Sequence, residues 1–70
     1  MEKIYMVCDY VGANCKGRLI HENGSTIGFH YSSSYNWLRF DLLKNLKNPE
    51  KYEIIDLIGQ PVPERFQNKA

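Results

Sequence analysis

Asn23-Gly24 narrows the folds open to this chain more than any other feature. It lies between two segments of strand-like pattern, Lys16–Glu22 and Ser25–Tyr31. A two-residue hairpin turn needs positive φ at both central residues, and Asn-Gly tolerates that conformation best. The dipeptide therefore predicts a β-hairpin. With a two-residue loop, Ile20 pairs with Ile27, Arg18 with Phe29 and Lys16 with Tyr31. One face then carries Ile20, Ile27, Phe29 and Tyr31, rimmed by Lys16 and Arg18. The other carries Leu19, His21, Thr26, Gly28 and His30. A three-residue loop with a bulge would shift the register by one and change the faces; that alternative stays open.

The segments around the hairpin follow from similar local signals. Ile4–Val11 (IYMVCDYV) is β-branched, aromatic and apolar at nearly every position, so a strand covered on both faces is expected. Gly12-Ala13-Asn14 breaks it. Ser32-Ser33-Ser34 opens a helix expected to run to about Lys47, where Asn48-Pro49 stops it. Tyr52–Ile58 reads as a last strand closed by Gly59. Pro61 and Pro63 force an extended tail, and Glu64-Arg65-Phe66 adds one turn against the body. The expected order is β-β-β-α-β, an α+β fold with one helix on a small antiparallel-type sheet. Residues 1–66 form one domain, and 67–70 read as a frayed C-terminal tail.

Composition sets the class of function. Nine Lys+Arg stand against eight Asp+Glu, a net charge of +1. The balance holds along the chain: residues 1–31 carry three basic and three acidic side chains, and residues 32–70 six and five. Affinity for nucleic acid comes mainly from neutralised phosphates. Without a basic stripe, duplex nucleic acid is not an expected partner. No apolar run approaches the roughly 18 residues of a membrane span, so no membrane partner is expected. Met1-Glu2-Lys3 runs straight into a strand pattern with no signal peptide. A cytoplasmic protein with free thiols at Cys8 and Cys15 is the expected reading, with Cys8 in the core. A Cys8–Cys15 disulfide closing a short loop is the alternative. At 70 residues the core is marginal, so a partner subunit is a natural source of extra stability.

The helix has two apolar sides. At 100° per residue Tyr35, Leu38, Leu42 and Leu46 share one stripe, with Leu43 at its edge. That stripe faces the sheet. Trp37 and Phe40 lie opposite, near Lys44 and Lys47. Either the C-terminal tail covers them, through Phe66, or they form an interface, since such aromatics are enriched in interface cores. The interface reading points to a homo-oligomer, the commonest assembly. Arg39 projects on the inward stripe. It either pairs with an acid such as Asp9 or Asp56 or meets an anion near the helix start.

Chemistry-bearing residues gather around that start. His30-Tyr31-Ser32-Ser33-Ser34 leads from strand into helix. Free N–H groups, serine hydroxyls and the positive dipole end can bind an anion. The plainer account is one N-cap and two loop serines. In the sharper account His30, Ser32, Ser33, Ser34 and Arg39 hold phosphate, with Lys16 or Arg18 adding charge. Tyr31 or Tyr35 would then stack a base, making the ligand a cyclic or other nucleotide.

Other motifs fall short. Gly12-Ala13-Asn14-Cys15-Lys16-Gly17 lacks the G-x-x-x-x-G-K-[ST] order of a phosphate loop, and a strand follows it. Cys8, Cys15, His21 and His30 match no common zinc spacing, and the two histidines sit roughly 13 Å apart in the hairpin. No metal or cofactor is expected. Ser33, His30 and Asp41 are the residue types of a catalytic triad, but no G-x-S-x-G elbow accompanies them. A non-enzymatic binding protein is the expected class.

The segment His30-x-Ser32-Ser33-Ser34-x-x-Trp37-Leu38-Arg39-x-Asp41-Leu42 resembles small accessory proteins encoded by the early genes of tailed phages. It spans about a fifth of the chain. The resemblance implies a protein of the anti-defence type, active in the host cytoplasm. Some proteins of that kind are oligomeric sponges for nucleotide messengers; others dock on a host protein, which would here meet the Trp37/Phe40 face.

Overall fold

A computed structural model of the chain describes residues 1–11 and 13–67. Four strands and one helix follow in the order β1 (Glu2–Val11), β2 (Asn14–His21), β3 (Thr26–Ser32), α1 (Tyr35–Lys44) and β4 (Tyr52–Asp56). Short 3-10 turns precede β4 at Pro49–Lys51 and close the tail at Glu64–Phe66. The strands form one sheet in the order β3-β2-β1-β4. The small α+β fold with one helix on its sheet is thus the architecture adopted. The sheet itself is mixed: β2 is antiparallel to both neighbours, whereas β4 runs parallel to β1. β3 and β4 therefore point the same way. The chain between them must cross back over the sheet, and that return is made through α1.

The hairpin combines both sequence alternatives. His21 N–H donates to the Ser25 carbonyl at 2.8 Å, and Gly24 N–H donates to the His21 carbonyl at 2.8 Å. The loop is therefore Glu22-Asn23-Gly24, with Gly24 at φ 96°. Ile20 consequently pairs with Thr26 instead of Ile27, and Thr26 moves to the face of Ile20. A bulge at Ile27 then absorbs one residue, and Leu19↔Gly28, Arg18↔Phe29 and Lys16↔Tyr31 take the register expected of a two-residue loop. The two offsets cancel, so Leu19 keeps its place in the core.

β1 lies inside the sheet, and its middle, from Ile4 to Cys8, is covered on both faces. Ile4, Met6 and Cys8 point toward the helix, where they meet Cys15, Leu19, Leu38, Leu42 and Ile58. Tyr35, Leu43 and Leu46 pack around that cluster, as the helical stripe requires. On the reverse face Val7 and Ile20 bury Phe66, with Tyr5, Leu57 and Val62 around them. The tail thus closes the face opposite the helix and leaves Trp37 and Phe40 uncovered.

Two elements are shorter than the sequence pattern suggested. α1 ends at Lys44 rather than Lys47. Asn45 caps it, donating from its side chain to the Asp41 carbonyl at 3.0 Å. Asn48 takes the left-handed conformation (φ 54°, ψ 55°) before Pro49, consistent with the steric bar to a helical residue there. β4 stops at Asp56, whose carboxylate accepts the Ile58 N–H at 3.0 Å and turns the chain toward Gly59. The Gly12 part of the expected break and residues 68–70 of the expected frayed tail lie outside the described residues. Gln67 is exposed, and its amide donates to the Val62 carbonyl at 3.1 Å.

Helix and sheet meet most closely at Gly17. A Cβ there would lie 2.7–2.9 Å from three side-chain carbons of Leu38, which is fully buried. Gly17→Ala should therefore lower unfolding stability by about 1–3 kcal/mol through overpacking. Urea titration of the variant against the parent measures it; an unchanged midpoint would refute the tight approach.

Candidate functional site

The residues singled out around the helix start are divided among three places. His30, Ser32, Ser34, Tyr35 and Arg39 lie on the helix side of the sheet. Lys16, Arg18 and Tyr31 lie on the reverse face, by the strand alternation that puts Ile20 against Phe66. Ser33 is exposed between β3 and α1.

Ser32 and Ser34 both support the turn. Ser32 Oγ accepts the Ser34 N–H at 3.1 Å, and Ser34 Oγ accepts the Trp37 N–H at 3.5 Å. Ser34 is the N-cap, with extended backbone at φ −117°. Tyr35 packs against the core cluster, 6.4 Å from the Tyr10 ring and against the Gly59 backbone.

The cations are engaged. Arg39 Nε donates to Asp56 at 2.7 Å, and its other nitrogens reach Asn36 Oδ1 at 3.3 Å and the Ile58 carbonyl at 3.4 Å. Of the two acids the sequence offered, Asp56 is the one used. Arg39 ties the flank of α1 to the end of β4. Arg18 is buried: Nε donates to Asp9 at 2.7 Å and Nη2 to the Phe66 carbonyl at 2.6 Å. It clamps the tail to the sheet. His30 Nε2 lies 2.9 Å from Asp41 Oδ2 and ties β3 to the opposite flank of α1. Lys16 is half-buried and has no carboxylate partner among the described residues; its Nζ lies 5.4 Å from the Phe29 ring centroid and 5.9 Å from that of Tyr31.

A cavity of about 300 Å3 opens elsewhere, near the C-terminal end of α1, where Leu19, Ile27, Leu42 and Leu46 line it together with the polar Asp41, Asn45 and Lys47. None of the nine residues proposed for an anionic ligand lines it. Among the described residues no three His, Cys, Asp or Glu side chains gather as metal ligands. No helix is long and apolar enough to cross a membrane among the described residues.

Most of the large apolar side chains the structure exposes are aromatic; besides Tyr10 these aromatics form two pairs. Trp37 is 62% and Phe40 55% exposed, with rings edge-to-face at 5.8 Å. Lys44 Nζ lies 6.0 Å from the Phe40 centroid. On the reverse face Phe29 and Tyr31 are 62% and 52% exposed, also edge-to-face, at 6.3 Å. The first pair was legible from helical periodicity. Asp41 as the partner of His30 and the Phe66 carbonyl as the partner of Arg18 were not, because both pairings depend on tertiary packing. Compared with known protein families, curated proteins and solved structures, the chain matches none of them.

Cys8 and Cys15 are free and buried. Burial, then the hydrogen bond and charge of Cys15 and the charge of Asp9, push the Cys8 thiol up from 9.0 to about 12. The native thiol stays protonated where the unfolded one ionises, so folding gains from Cys8 below pH 9 and loses that gain between about 9 and 12. Cys8→Val should flatten part of the fall in stability above pH 9. Denaturation midpoints of both proteins at pH 7 and pH 10 measure it; an identical pH dependence would rule out a shifted Cys8.

Proposed function

We propose that this protein is a non-enzymatic binding protein that docks on a protein partner through the outer face of α1. The observation that carries the reading is the uncovered Trp37–Phe40 pair: neither aromatic joins a core cluster, and the tail packs on the other side of the sheet. Interface cores favour such residues. Lys44 borders the pair, and the acid beside it on the helix, Asp41, is paired with His30. The partner that fits is an apolar recess with a carboxylate rim. The resemblance to phage accessory proteins makes that partner a host protein in the host cytoplasm, and two free thiols support such a setting.

The other reading of the same chain is an oligomer that sequesters a nucleotide at the serine-lined helix start. Its support is the capped N-terminus of α1, since Arg18, Arg39 and His30 already hold carboxylates. The two readings separate in solution. Cyclic mono-, di- and trinucleotides should leave Tm unchanged in a thermal-shift screen. A shift of several degrees that Arg39→Ala abolishes would transfer the assignment to the nucleotide. A partner isolated on the immobilised protein and then purified should bind in calorimetry. Trp37→Ala should weaken it at least tenfold and Lys44→Glu less, with Ser33→Ala unchanged. Equal binding by Trp37→Ala would overturn the docking face.

A further inference from the structure

The two edges of the sheet differ in how they are protected. β4 is five residues long and carries Glu53 and Asp56, both exposed. Charges and brevity of that kind discourage a further strand. β3, at the other edge, is seven residues long and contains no Lys, Arg, Asp, Glu or Pro. Its bulge at Ile27 interrupts the ladder only between Thr26 and Gly28, and Gly28–Ser32 keep a regular register with β2. No strand covers its outer side among the described residues. Its large side chains, Phe29 and Tyr31, remain more than half exposed on one face.

From this contrast we infer that β3 is a dimerisation edge, and that its occupant is β3 of a second copy. Antiparallel pairing about a two-fold axis at His30 sets Phe29 of each copy opposite Tyr31 of the other. Directly opposed aromatics of that kind stabilise strand pairs. The charges permit it. Lys16 lies one strand inward, so the two lysines stay about three strand spacings apart, roughly 14 Å, and His30 already has Asp41 as its partner. A foreign strand would satisfy the same backbone groups, but the aromatic pairing at both 29 and 31 arises by symmetry only with an identical strand.

The dimer has a consequence for the outer face of α1. A two-fold axis normal to the sheet keeps both helices on one side of a continuous eight-stranded sheet. His30–Asp41 orients α1 so that the flank beyond Asp41, where Trp37 and Lys44 lie, is turned toward the β3 edge. Arg39–Asp56 holds the opposite flank over β4. The two Trp37–Phe40 pairs are thereby brought onto one surface, offering a partner two docking points. This last step rests on the docking role proposed for Trp37 and Phe40; the β3 dimer does not.

Sedimentation equilibrium at concentrations of hundreds of micromolar tests the dimer. The parent protein should give twice the 8.2 kDa chain mass. Phe29→Lys and, separately, Tyr31→Lys should shift the mass to that of one chain, with unchanged far-ultraviolet circular dichroism because both positions are exposed. Trp37→Ala should remain dimeric while losing the partner, so the two proposals fail independently. Hydrogen exchange gives a second measurement: alternate amides of Gly28–Ser32 should be protected at high protein concentration and released on dilution. A monomeric parent, lysine variants that stay dimeric, or β3 amides that exchange alike at every concentration would each overturn the β3 edge.

Discussion

One helix and one short tail must cover two faces of a four-stranded sheet, and every other feature depends on how that cover is shared. α1 lies over one face at β2 and β3 and also reaches the β1 side chains Ile4, Met6 and Cys8. The tail from Leu57 to Phe66 closes the reverse face at Tyr5, Val7 and Ile20. The cover ends there. Among the described residues nothing covers the reverse side of β3 or the outer side of α1, and an aromatic pair stands open at each.

The tail would not hold by apolar contact alone. Phe66 contributes a large ring, 5.1 Å from Tyr5, and Arg65 lies 4.6 Å from the Phe66 ring and 5.1 Å from Tyr5. Arg18 supplies the directional part, bonding at once to Asp9 and to the Phe66 carbonyl. A buried guanidinium costs desolvation, which its carboxylate and carbonyl offset only while all stay in place. The arrangement therefore favours a tail that is docked or released over one that slides. It also engages the Arg18 guanidinium inside the fold. The same arithmetic applies more weakly to Arg39, whose partly exposed pair with Asp56 contributes about 0–1 kcal/mol while fixing the rotation of α1.

The legible parts of the fold were those governed by local stereochemistry. Asn23-Gly24 announced a hairpin because few residues accept positive φ, and Gly24 has it. Leu38 and Leu42 were placed inward by periodicity alone. The bulge at Ile27 was not legible, since isoleucine is an ordinary strand residue and the bulge exists to cancel an offset created in the loop. The parallel direction of β4 was hidden as well: YEIID pairs equally well either way, and the choice is made by a chain that must return over the sheet. Candidate site residues followed the same division. Trp37 and Phe40 lie where helical geometry puts them, whereas the fates of Arg18, His30 and Arg39 were decided by acids and carbonyls brought close only by tertiary contacts.

That division says why exposed aromatics outweigh a helix N-terminus as a guide to function here. A chain of this length has only a few kcal/mol of net stability, and fully burying one aromatic side chain contributes about 1.5–3 kcal/mol. Leaving Phe29, Tyr31, Trp37 and Phe40 open forgoes stability comparable to the whole margin. A serine cap, by contrast, is what any helix start would use. The four aromatics also occur as two edge-to-face pairs, each with a lysine ammonium about 6 Å or less from a ring. Solvated surface has no need of such order. Pairs already packed against one another lose less conformational freedom when a partner covers them, so the entropy of binding is partly met in the free protein.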